Sequence, residues 1–78
     1  MTDSTESAEG FIGRFAAAAG IAPPSAADIE TLLDTAGVAA HASERKAAPI
    51  VCWLVGRAGL SADEALETAR RLAEEAPS

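Results

Sequence analysis

The chain has 78 residues, room for one small domain that buries only about 60% of the surface its unfolded form exposes, so modest stability is expected. Hydrophobic residues make up 49% of it, but many are alanines, and the core must be thin unless helices pack closely or a partner surface helps. A balance of 12 acidic against 6 basic residues gives a formal net charge of −6, which repels phosphate backbones and anionic lipid and argues against nucleic acid or a membrane as partner.

From the N-terminus, residues 1–5 are polar, lack apolar anchors and read as a disordered tail, leaving 6–76 as the helical domain. Ala8, Phe11, Ile12, Phe15, Ala16 and Ala19 recur at helical spacing, and Gly20 stands where a left-handed C-cap belongs, so the first helix is expected from about Thr5 to Ala19. Pro23 and Pro24 then force an extended connection. Ser25 with Asp28 is a variant capping box that opens a second helix, reaching Ala42 or Ser43 with Ile29, Leu32, Leu33, Ala36 and Ala40 as its stripe. Gly37 inside it costs about 1 kcal/mol relative to alanine, which suggests close packing or a functional gap.

Pro49 suits the first position of a third helix. The run Ile50 to Val55 has the β-propensity of a strand, but a lone strand would lack a partner, so a buried central helix ending at Gly59 is expected. Ser61 with Glu64 completes a full capping box, and Ala65, Leu66, Ala69, Leu72, Ala73 and Ala76 carry a fourth helix to Pro77. The expected fold is all-α: a compact four-helix bundle-like single domain.

The chain reads as cytoplasmic. Its N-terminal residues are acidic and polar, unlike a secretory signal, and the longest apolar stretch, Ala47 to Gly56, is too short to span a bilayer. The single cysteine, Cys52, allows no internal disulfide and is expected to be buried and unreactive.

Nucleophilic catalysis needs a nucleophile, a base and an orienting group, and the one histidine, His41, has only Ser43 nearby, two residues along a helix and so pointing away. No ligand spacing for a metal is present, and neither catalytic residues nor a cofactor are expected. On the second helix Glu30, Asp34, His41 and Arg45 share one strip beside the apolar stripe. Acid near the helix start and cations near its end is also what the helix dipole alone favours, so the strip has a plain reading as a solvated face. The sharper reading is an anion-binding corner made by His41, Arg45 and Lys46 before the third helix. His41 could further act as a clamp, donating to a carbonyl between Glu44 and Ala48. Phe11, Phe15 and Trp53 fit a core cluster by spacing; exposed, they would instead mark a partner-binding hot spot.

The stretch Leu33-Asp34-Thr35-Ala36 through Ala40-His41, then Arg45-Lys46-Ala47-Ala48-Pro49 and Trp53-Leu54-Val55-Gly56, resembles a small actinobacterial helical family of unknown function. Its members share an Ala-His near a helix end, an Arg-Pro-Ala-Ala-Pro connection and an aromatic-Leu-x-Gly helix. Lys46 stands where that family has proline, and Phe11 where tryptophan is commoner. Members occur alone or fused to molybdenum cofactor guanylyltransferase, so the resemblance implies a non-catalytic accessory or interaction domain linked to molybdenum cofactor (molybdopterin guanine dinucleotide) biosynthesis, and points to His41, Arg45 and Pro49. The alternative is a small-ligand or nucleotide/phosphate-binding domain using the His41, Arg45 and Lys46 corner. The expected partner is another protein, that guanylyltransferase being the candidate, and a homodimer stays open.

Overall fold

The structure, a computed structural model, describes residues 6–75; the tail expected over residues 1–5 and the helix stop at Pro77 lie outside them. Four helices follow one another, α1 (Ala8–Ala19), α2 (Ala26–Ala42), α3 (Ala47–Ala58) and α4 (Ala62–Glu74), so the all-α four-helix fold is as the patterns predict. The run from Ile50 to Val55 is helical.

Helix ends are set by local chemistry. Ser7, Ser25 and Ser61 are extended N-caps whose hydroxyls accept from the amides of Gly10, Asp28 and Glu64. Around Ser61 the box closes in both directions, the Glu64 carboxylate accepting from the Ser61 amide at 2.8 Å. At Ser25 only the Asp28 amide to Ser25 hydroxyl half forms, since the aspartate side chain is one methylene shorter than glutamate. Because Ser7 is the first cap, α1 opens later than the expected Thr5.

Gly20 and Gly59, at φ 76° and 73°, each close a Schellman motif. In the first, the Gly20 and Ile21 amides donate to the carbonyls of Ala17 and Ala16; in the second, those of Gly59 and Leu60 donate to Gly56 and Val55. The motif therefore also fixes Ile21 and Leu60 as the apolar residues that follow each helix.

α3 begins two residues before Pro49, which sits third in the helix instead of first. The correction has a simple cause. The amides of Ala47 and Ala48 donate back to the carbonyls of Glu44 and Arg45, forming a turn that starts the helix early, and Pro49 still falls among the first-turn positions that need no amide.

α2 is the centre of the fold, packing most extensively against α4 and also against α3; α1 takes part in no helix–helix contact of that extent. The principal extents are 48 × 29 × 18 Å. The core is as thin as the composition implies: among the described residues Ala16, Val55 and Ala65 are the buried apolar ones, and Thr35 of α2 is fully buried as well. Thr35 is tolerated there because its hydroxyl donates to the Thr31 carbonyl at 2.9 Å, leaving its methyl free to pack. The buried stripe of α2 is rotated from the expected one: Leu33 lies 66% exposed and Thr35 takes the central place. Small side chains at Thr35 and Ala65 let helices approach closely, which is how an alanine-rich chain forms a core at all.

Candidate interaction surface

α3 is apolar on nearly every side, but α2 covers only one of them. Val55 is buried, while Ile50, Trp53 and Leu54 remain 60%, 61% and 51% exposed. At 100° per residue the three share a continuous outward stripe. Arg57, one turn beyond Trp53, holds its guanidinium over the indole at 5.6 Å from the ring centroid. On α1 the arrangement repeats, with Arg14 over the Phe11 ring at 5.8 Å and paired to Glu6 at 2.7 Å. Phe11, Phe15 and Trp53 thus do not form the expected core cluster. Their spacing on each helix is right for a core, but no second layer of helix lies over either face.

Beside the α3 stripe runs an apolar groove of about 360 Å³ between α3 and α4, closed at its base by the end of α2. Val51, Leu54 and Val55 line it from α3, Leu72 from α4 and Leu60 from the turn between them, with alanines, Ser43 and Thr68 completing it. The groove exists because α3 and α4 each pack on α2 more extensively than on each other. Cys52, on the α2-facing side of α3, is half-buried, not sealed in the core as expected.

The residues singled out as an anion corner are placed as follows. His41 is exposed and lines a shallow recess of about 590 Å³ with Asp34 and Gly37 of α2 and Arg70 of α4. Arg45 and Lys46 are exposed and do not line that recess; Lys46 lies 3.6 Å from Glu44. Lys46 is the N-cap of α3 and caps it with no side-chain hydrogen bond. Of the strip Glu30, Asp34, His41 and Arg45, the recess brings together Asp34 and His41, with Gly37 between them; Glu30 and Arg45 do not line it, and the cation that does is Arg70 of α4. The clamp expected of His41 does not form, since among the described residues the imidazole makes no hydrogen bond to the Glu44–Ala48 segment; the tight turn already uses the Glu44 and Arg45 carbonyls. Gly37 is not a close-packing device either, for a Cβ added there meets nothing within 4 Å.

Sequence reasoning overlooked the α3–α4 groove, Thr35 and Arg70. The groove had a signal in the spacing of Ala65, Ala69, Leu72 and Ala73 along α4, mostly small residues on the face turned to its neighbours. Among the described residues no group of three or more His, Cys, Asp or Glu side chains could hold a metal ion, and no helix is long and apolar enough to cross a membrane.

Fold and surface together define a small all-helical domain without a recognisable catalytic constellation among its described residues, presenting a tryptophan-bearing helix beside an apolar groove. The chain belongs to the family described as Domain of unknown function (DUF6457), which it matches over residues 3–78. No curated protein and no solved structure matches it.

Proposed function

We propose that the chain is a non-catalytic protein-interaction module that docks through the outward stripe of α3. The carrying observation is the exposure of Trp53, with Ile50 and Leu54 beside it and Arg57 stacked over its ring. Tryptophan and arginine are the residues most enriched at binding hot spots, where a rigid aromatic enters a partner pocket and a planar cation reaches the rim. A monomeric surface gains nothing from leaving Trp53 in water, because its burial would contribute on the order of 2–3 kcal/mol.

The resemblance stated above supplies the partner in this reading: a molybdenum cofactor guanylyltransferase, with the module acting as an accessory in molybdopterin guanine dinucleotide formation. The small-ligand alternative at His41, Arg45 and Lys46 has less behind it, as the three are exposed and share no recess. Calorimetric titration of the purified guanylyltransferase with the chain, a readout that wild type and variant share, tests the proposal. Binding that Trp53→Ala weakens by about 30-fold, the equivalent of about 2 kcal/mol, is expected. Absence of binding at about 100 μM enzyme overturns that partner, and binding unaffected by Trp53→Ala overturns the surface.

A further inference from the structure

Among the described residues, two apolar surfaces besides the Trp53 stripe lack cover, and they lie on different elements. One is the α3–α4 groove, walled by Val51, Leu54, Leu60 and Leu72 and lined by no charged side chain. The other is the face of α1 bearing Phe11 and Phe15, 55% and 66% exposed, with Ile21 after the helix end 65% exposed. That patch too has no charged residue in its lining, and the ion pair beside it, Arg14 with Glu6, is internally compensated. α1 is also the helix left out of the extensive contacts around α2.

We infer that a second copy of the chain covers both surfaces at once: in a two-fold dimer, α1 of each protomer lays Phe11 and Phe15 into the α3–α4 groove of the other. The inference does not rest on the enzyme partner proposed above, which uses the adjacent stripe of α3; the two surfaces meet at Leu54, so the groove is probed from its α4 wall.

Size, charge, area and closure each favour this occupant. Phe11 and Phe15 are four residues apart, so their rings stand one turn from each other on one face. A cavity of about 150 Å³ holds one benzene-sized ring, so a groove of about 360 Å³ has room for two. Two chains of net charge −6 repel wherever their charged faces meet, and both surfaces used here are neutral. Phe11, Phe15, Ile21, Leu54, Leu60 and Leu72 each expose on the order of 100 Å². With the alanines between them they approach the roughly 800 Å² per partner of a standard stable interface. Reciprocal seating is isologous and closes on itself, whereas a foreign helix in the groove would leave the α1 face in water.

Sedimentation equilibrium of the full chain should give twice 7.9 kDa, or 15.8 kDa. Phe15→Glu and Leu72→Lys change side chains already more than half exposed in the single chain, so helicity by circular dichroism should persist. Each variant alone should dissociate at least about 100-fold more readily, because each seats a charge against an apolar wall. An equimolar mixture should recover the dimer, since one seat is then native and in the other the introduced carboxylate faces the introduced ammonium. A wild-type mass of 7.9 kDa at about 1 mM, growth beyond the dimer, a variant that stays dimeric alone, or a mixture that stays monomeric would each overturn the inference.

Discussion

Replacing glycine by alanine should have opposite effects at Gly37 and Gly20, and the backbone decides the sign. Gly37 lies in the interior of α2 with helical φ, and a Cβ there meets nothing within 4 Å. Alanine at that position gains the helix-propensity difference, about 1 kcal/mol, with no clash to offset it. Gly20 also has open space around it, but its φ of 76° is the left-handed conformation that closes the Schellman motif. A side chain there costs about 1–2 kcal/mol, of which the stiffer unfolded chain returns about 0.4–1 kcal/mol, leaving a net loss near 1 kcal/mol. For a domain of this size each kcal/mol moves the melting temperature by about 4–8 °C. Gly37→Ala should therefore raise Tm by about that amount and Gly20→Ala should lower it by a similar amount. Thermal melts by far-UV circular dichroism at one fixed protein concentration provide the measurement, because self-association makes Tm concentration-dependent. Gly37 is outside the α3–α4 groove, so dimerisation through that groove does not alter the expectation. A fall in Tm for Gly37→Ala would refute the reasoning, as it would mean that something packs against the glycine in solution.

Ser61→Ala and Ser25→Ala should each cost about 1 kcal/mol, as each removes one capping hydroxyl, while Glu64→Ala should cost more than Asp28→Ala, since only Glu64 accepts from its cap's amide; equal urea midpoints for the last two would contradict this. Thr35→Val should leave stability within about 1 kcal/mol, because the Thr31 carbonyl does not depend on the hydroxyl for a helical partner, and a larger loss by urea melt would reveal a second role for the hydroxyl. His41→Ala should change stability by less than about 0.5 kcal/mol, the imidazole being exposed and without a hydrogen bond to the α2–α3 turn; a drop of several degrees in Tm would restore the clamp. Phe15→Ser, measured in the Leu72→Lys background to remove dimerisation, should cost less than about 0.5 kcal/mol, and a loss of core magnitude would place Phe15 inside the single chain after all.

What the sequence by itself determined was everything governed by neighbours a few residues away. Ser25 and Ser61 as caps and Gly20 as a left-handed stop follow from hydrogen bonds or steric limits that span at most five residues, whereas the helical state of Ile50 to Val55 goes against its local β-propensity and was legible from the lack of a partner strand. The candidate strip was half legible: Asp34, Gly37 and His41 share a face by helical geometry alone, but Arg70, which faces them, comes from another helix nearly thirty residues later. Only the tertiary structure decided which apolar faces are buried. In α2 and α3 alanines and larger apolar residues surround most of the helix, so several rotations bury similar apolar area, and periodicity cannot choose among them. Close approach chose instead: α2 turned Thr35 inward toward the helices that flank it and left Leu33 outside. With α3 and α4 both committed to α2, Trp53 and the groove beside it were left in water, and the aromatics that spacing assigns to a core became the surface on which the functional reading rests.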